Sequence, residues 1–388
     1  MPLANSFLSS EEEFEAEPRF PLDVYFCEDC SLVQLLDVVD PEILFSHYVY
    51  LTGTSETMRA HFRQYARTVA GLLGLGPEHL VVEVASNDGS LLKEFQACGV
   101  RVLGVEPARN VAERARSEGV PTVDEFFDTE LAERLRERYG PAKAVVANNV
   151  LAHVDDPVGF LRGCARLLGQ DGVVVWEVPH LQQLISRLEY DTIYHEHLSY
   201  FSATTLARLA AEAGLRIVCT EQVPVHGGSL RMYATRDGGG GHAAQVLALA
   251  EEERRQGLQQ IDLYHRFAAA VAENRAALRA FLESLREAGR TVAGYGAPAK
   301  GNTLLNYCQI TPELLPFTVD RNPWKVGRYT PGMHIPVLPV SVLLQRRPDY
   351  ILILPWNLAT EIIAQLTDYA RRGGQFVIPI PEPKVIGV

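Results

Sequence analysis

Apolar positions along this chain recur in two periods, as short unbroken runs and as helical stripes, and the two alternate. Residues 80–84 form a short, mostly apolar run with β-branched side chains and read as a buried strand. Residues 90–98 then read as a helix and 100–105 as the next strand. The alternation continues with a helix over 111–118, a strand over 144–147, a helix over 158–168 and a strand over 172–178. Strands and helices spaced in this way predict a parallel sheet with helices on both faces. Residues 1–52 are irregular, with Pro2, Pro18, Pro21 and Pro41 and an acidic run at 11–13. From about Ala243 to Glu287 charged and apolar residues recur at helical spacing without a proline, which predicts a helical connector. Beyond it, strands over 291–294, 315–319 and 350–354 alternate with helices at 301–305 and 358–369. The expected fold is therefore α/β: a Rossmann-like domain over 53–242, a connector over 243–288, and a second, smaller Rossmann-like domain over 289–388. A short irregular N-terminal module fills 1–52.

A chain of 388 residues with 47% hydrophobic and 22% charged residues fits two or three globular domains. Its net charge of -12 argues against a nucleic-acid partner, whose phosphates require a basic stripe. No apolar run has the length of a bilayer span, and the first residues lack a basic-then-apolar signal sequence, so no membrane partner is expected. Six cysteines, scattered apart from Cys27 and Cys30, suit reduced thiols and a cytoplasmic setting better than a disulfide framework.

Two polar clusters interrupt the pattern. The first, Glu83-Val84-Ala85-Ser86-Asn87-Asp88-Gly89, has the spacing of an E-x-G-x-G-x-G turn with two glycines replaced. Small residues there let the backbone approach a ligand, and the helix beginning near Ser90 offers free N–H groups. Glu106 closes the second strand, where a carboxylate can accept both ribose hydroxyls of an adenosine. The acid in the turn disfavours a diphosphate, whereas a sulfonium tolerates Asp88 by charge attraction. S-adenosylmethionine is thus expected rather than NAD. Its candidate contacts are Glu83, Ala85, Ser86, Asn87, Asp88, Gly89 and Glu106, joined by Asn148 at the end of the 144–147 strand. A plain capped strand-to-helix turn would use the same residue types.

The second cluster, Thr192-Ile193-Tyr194-His195-Glu196-His197-Leu198-Ser199-Tyr200-Phe201, places two histidines, a glutamate and two tyrosines in ten residues. Carbon methylation needs a proton removed α to a carbonyl and an enolate stabilised. Histidine suits the first task by its pKa, and tyrosine or a second histidine suits the other. His153 belongs to another loop on the same sheet edge. His195-Glu196-His197 is not H-E-x-x-H, so a metalloprotease site is excluded. Cys27-Glu28-Asp29-Cys30 is C-x-x-C, half of a tetrahedral thiolate zinc site.

These residues carry a resemblance over essentially the whole chain. Pro2-Leu3-Ala4-Asn5, the Cys27/Cys30 pair with Leu32-Val33-Gln34-Leu35, Tyr48 before Gly53-Thr54-Ser55, the 85–89 turn and the 194–201 string all contribute. So do His226-Gly227-Gly228-Ser229-Leu230-Arg231, Gly294-Tyr295-Gly296-Ala297-Pro298-Ala299-Lys300-Gly301-Asn302 and Pro355-Trp356-Asn357. The chain resembles the deoxysugar C-methyltransferases of antibiotic biosynthesis, which act on nucleotide-linked 4-keto-6-deoxysugars. The resemblance implies an N-terminal zinc module, a central methyltransferase domain and a C-terminal Rossmann-like domain that closes the sugar-nucleotide site. It implies His197 as the base, Glu196 as its neighbour, and Tyr194, His153 and Tyr48 lining the reacting sugar. His195, His226, Arg231, Tyr295, Lys300, Asn302 and Trp356 would face the substrate, with Lys300 at its diphosphate. The family carries another C-x-x-C upstream of Pro-Leu-Ala-Asn, so zinc is expected to find only half of its ligands here, Cys27 and Cys30. An oxygen, nitrogen or unlinked carbon acceptor for the same cofactor, and a non-catalytic or redox nucleotide-binding protein, stay open as rival readings.

Overall fold

A computed structural model of the chain describes residues 1–45, 53, 56–236 and 241–387, without the side chain of His226. It resolves into two compact units. One comprises Tyr25–Gln182 and Leu198–Gln260, the other Met1–Val24, Gln183–His197 and Ile261–Val388. Neither unit is a single stretch of chain.

In the first unit the short strands β1 (Val24–Phe26) and β2 (Val33–Leu35) fall within the segment expected to be irregular. Three-residue strands leave no period to read. The main sheet uses β3 (Leu80–Val84), β4 (Arg101–Val105), β5 (Thr122–Val123), β6 (Ala142–Asn148) and β7 (Leu168–Pro179). After β8 (Ser199–Tyr200), which pairs with β2, come β9 (Leu215–Val223) and β10 (Ser229–Arg236). The order is β5-β4-β3-β6-β7-β10-β9, parallel through β7, with β10 antiparallel to both its neighbours.

Helices cover both faces, so both registers of each strand are apolar. Val82, Val84, Leu103, Val105, Val145 and Trp176 enter one core layer. Val81, Val102, Ala144, Val146 and Val175 enter the other. The second layer is completed by an 18-residue helix, Glu56–Leu73, that buries Met58, Phe62, Tyr65, Ala66 and Val69. This helix and the β9/β10 hairpin lie outside the expected elements. Asp128 and Asp156 each accept a backbone N–H at a helix start, and Ser202 with Thr205 forms a capping box.

The second unit repeats the plan. Its strands are β11 (Val292–Tyr295), β12 (Thr318–Asp320), β13 (Val337–Pro339), β14 (Tyr350–Ile353), β15 (Gln375–Ile378) and β16 (Lys384–Ile386). They lie in the order β13-β12-β11-β14-β15-β16, parallel except for β16. Two of the expected elements are corrected. β12 starts at Thr318 rather than 315, because Pro316 has no N–H for a ladder. The helix expected over 358–369 breaks at Leu366 into Ala359–Gln365 and Thr367–Arg371. The proline-free stretch forms the helices Ala244–Arg255 and Ile261–Glu287, one falling in each unit. No helix among the described residues is long and apolar enough to cross a membrane.

Candidate active site

In the first unit β3 and β6 are neighbours whose successors run to opposite sides, so the sheet reverses its order between them. Crevices at such points, beyond the carboxyl ends of the strands, are where doubly wound sheets bind ligands. The turn after β3 opens there. Ala85, Asn87 and Gly89 take positive φ values of 57°, 48° and 73°. These are the three glycine positions of the pattern, so the replaced residues keep the left-handed backbone that glycine would adopt freely. Gly104 lets β4 approach the turn, since a Cβ on it would stand 2.5 Å from Ser86 Oγ.

Glu106 accepts the N–H of Asn87 at 2.8 Å and of Ala108 at 2.9 Å. Asp88 accepts from Gly53 N at 3.1 Å and from the Ser90 hydroxyl at 2.5 Å. Burial, then Asp88 and Glu106, push the Glu83 carboxyl well above the usual range. Burial raises Glu106 as well, against the two N–H groups it accepts. Glu83 Oε2 and Ser86 Oγ are buried without a hydrogen-bond partner among the described residues. Three acidic side chains with polar atoms left open fit a ligand that brings hydroxyl groups and positive charge, as adenosine with a sulfonium does.

Asn148 ends β6, opposite Glu177 of β7. His153 closes the 3-10 turn Leu151–His153 with its ring edge-on to Phe45, centroids 5.5 Å apart. Arg231 lies in β10 with its guanidinium buried. It gives two hydrogen bonds to Glu177 Oε1, 2.8 and 3.0 Å, and one to Glu221 at 2.9 Å, and stacks over Tyr65 at 4.3 Å. His61, on the Glu56–Leu73 helix, reaches the same Glu177 at 3.1 Å. What Arg231 holds in this structure is therefore the sheet. Glu177 and His61 were missed by the sequence reading, although a glutamate inside the apolar run 172–178 was a signal that a buried partner is needed.

The second unit carries the histidine string as far as His197, where it follows the 3-10 turn Tyr190–Thr192, and the first unit takes the rest, with Ser199–Tyr200 as β8. His197 Nδ1 lies 2.7 Å from the carbonyl oxygen of Thr192 and Nε2 lies 3.0 Å from the Tyr194 hydroxyl. A carbonyl only accepts, so Nδ1 carries the proton, and in the neutral ring Nε2 is the basic nitrogen, accepting from Tyr194. The neighbours of His197 are held by the N-terminal segment. Glu196 accepts from Asn5 Nδ2 at 2.6 Å, and His195 Nε2 donates to the carbonyl of Pro21 at 2.9 Å. Tyr194, His195 and Asn302 line a small cavity together with Pro2, Ala4 and Leu22.

Asn302 is buried and donates to the carbonyl of Ala4 at 2.7 Å. Tyr295 packs into the core and its hydroxyl reaches Gln365 at 3.4 Å. Lys300 sits 4.9 Å above the Trp356 ring, and the Trp356 indole donates to Asp191 at 2.7 Å. Tyr48 and the side chain of His226 lie outside the described residues.

Cys27 and Cys30 share one turn. Hydrogen bonds from the Cys30 backbone and side chain lower the Cys27 thiol, and burial raises that of Cys30. Among the described residues no three His, Cys, Asp or Glu side chains form a group that could hold a metal, so this pair alone does not fit a four-ligand zinc site.

Known proteins match the chain in whole or in part. The family model for the C-methyltransferase C-terminal domain covers residues 224–381, and a methyltransferase domain model covers 58–220. A zinc binding domain model matches 1–45. The chain is 38% identical to the C-methyltransferase NovU of Streptomyces niveus over 386 residues, 99% of this chain and 92% of that one. Magnesium protoporphyrin IX methyltransferase of Synechocystis PCC 6803, solved with bound SAM, is 15% identical over 49% of this chain and 88% of its own, with a TM-score of 0.36. A S-adenosylmethionine-dependent methyltransferase of Clostridium acetobutylicum ATCC 824 is 11% identical over 46% and 92%, with a TM-score of 0.38.

Proposed function

We propose, from the premise that the chain belongs to the S-adenosylmethionine-dependent C-methyltransferases, that its acceptor is a nucleotide-linked 4-keto-6-deoxysugar of an antibiotic pathway. The observation that carries the reaction is the fixed tautomer of His197, with Nδ1–H spent on Thr192 and Nε2 left basic. Nε2 removes the proton from the carbon beside the ketone. The Tyr194 hydroxyl, which donates to Nε2 in this structure, is the donor that turns to the enolate oxygen once Nε2 takes up that proton. His153 is a second candidate for this task. Glu196, fixed by Asn5, gives the segment a defined geometry next to the base.

The cofactor supplies an electrophilic methyl group. Glu83, Asp88 and Glu106 give it acidic hydrogen-bonding partners, and Ala85, Ser86, Asn87 and Gly89 give it a close backbone, with Asn148 at its edge. The chain leaves the unit of His197 and enters the unit of this turn at Leu198. Lys300 and Trp356 belong to the substrate side. All six cysteines are free, which suits a reducing cytoplasm.

Incubation with S-adenosylmethionine and a panel of nucleotide-linked 4-ketosugars, read by mass spectrometry, tests the proposal. The expected product has gained one methyl on carbon, assigned by NMR. If no ketosugar gains a methyl while S-adenosylmethionine still binds, the acceptor class is wrong.

A further inference from the structure

The sheet of the second unit also reverses its order. From β11 the chain runs outward through β12 and β13, while β14 and β15 lie on the other side. The ligand-binding crevice of such a sheet lies beyond the carboxyl ends of β11 and β14. Lys300 follows β11, at the start of the helix Ala299–Tyr307, and Trp356 follows β14. The Tyr190–Thr192 turn adds Glu189 and Asp191, which are 3% and 0% exposed.

The polar atoms here are not satisfied by one another. Asp191 spends Oδ2 on the Trp356 indole, but Asp191 Oδ1, Glu189 Oε1 and Lys300 Nζ are buried without a hydrogen-bond partner among the described residues. Burial raises both carboxyls, Glu189 to about 7, with Lys300 pulling the other way. A buried polar atom left without a hydrogen bond is costly, and three at one crevice mark a place where a ligand completes the set.

The charges select the ligand. Burial raises both carboxyls, so the set offers hydrogen-bonding oxygens beside a single ammonium rather than the cluster of positive charge that a diphosphate needs. They suit a neutral group that gives one hydrogen bond to a carboxyl oxygen and accepts one from the ammonium, which a hydroxyl does. Resting on the reading that the acceptor is a sugar, we propose that Glu189, Asp191 and Lys300, with Trp356 as the wall, form a subsite for a ring hydroxyl of the sugar. Lys300 is then a hydroxyl contact rather than the diphosphate anchor.

The test uses the full chain with pairs of nucleotide-linked 4-ketosugars, each pair differing by one ring hydroxyl. Wild type is expected to favour one hydroxyl-bearing sugar over its deoxy partner by roughly 100-fold in kcat/KM. Asp191→Asn, whose amide oxygen still accepts from Trp356, is expected to erase most of that preference by losing rate on the hydroxyl-bearing sugar alone. Glu189→Gln should do the same to a smaller degree, with S-adenosylmethionine affinity unchanged in both. Equal loss on both sugars, or no preference in wild type, overturns the subsite and leaves the sugar reading standing. Tighter inhibition of Asp191→Asn by a nucleoside diphosphate, with the preference intact, returns Lys300 to the diphosphate. If wild type methylates no sugar, the sugar reading falls and the subsite with it.

Discussion

The hydrogen bond from His197 Nδ1 to the Thr192 carbonyl oxygen, 2.7 Å long, decides which imidazole nitrogen can take a proton. It closes a loop of only five residues, so the imidazole is oriented by its own chain. The turn that supplies the carbonyl is anchored in turn. The Tyr190 hydroxyl donates to Asn274 at 2.7 Å, and Asn274 donates to the carbonyls of Pro379 and Pro381.

Replacing His197 by alanine is expected to slow deuterium uptake at the substrate α-carbon by roughly 100- to 10,000-fold. S-adenosylmethionine affinity should not change, because the cofactor turn belongs to the other unit. Exchange followed by NMR, beside calorimetric titration of the cofactor, checks both halves. Retained exchange would remove His197 as the base.

Arg231→Met should destabilise the first unit by about 3–5 kcal/mol, because it leaves Glu177 charged and buried with only His61 to pair. Burial alone would raise the Glu177 carboxyl, but His61 and Arg231 together hold it below the usual range. A lowered folded-state pKa gives stability that is present above the unfolded value and is lost as pH falls through the folded one. Wild type should therefore lose stability on acidification below about pH 4. In urea melts, Arg231→Met should show a weaker acid-dependent loss.

Glu189 behaves in the opposite sense. Burial raises its carboxyl to about 7, with Lys300 pulling the other way. A raised folded-state pKa gives stability that is complete below the unfolded value and declines as pH rises towards 7. Glu189→Gln should gain more in Tm over wild type at alkaline pH than at acidic pH. Thermal melts across that range decide the matter, and a pH-independent difference would count against a buried, titrating Glu189.

Ala85 holds φ at 57°, a conformation that costs a residue with a Cβ roughly 1 kcal/mol. Ala85→Gly is expected to stabilise the protein by up to that amount, less the entropy that glycine gives the unfolded chain. Denaturant titration reads the sign directly.

Much of this was legible in the sequence. The strands β3, β4, β6 and β7 follow from unbroken apolar runs, because a strand covered on both faces buries both registers. The turn at 85–89 and Glu106 at its strand end follow from spacing, since a left-handed backbone and a strand-end carboxyl have local signatures. The 194–201 string stood out by its composition of histidines, tyrosines and a glutamate.

Which nitrogen of His197 is basic, and what Arg231, Asn302 and Glu196 touch, was decided only by the tertiary structure. Arg231 meets Glu177 because β10 inserts antiparallel beside β7, and that strand order is written in no local period. Glu196 meets Asn5 across 191 residues of chain. Glu189, Asp191, Lys300 and Trp356 come from three separate segments. Hydrophobic periodicity is set by neighbours a few residues apart, so the sequence alone determines it. The partner of a buried charge is set by whichever distant segment the sheet order brings against it, so only the fold determines that.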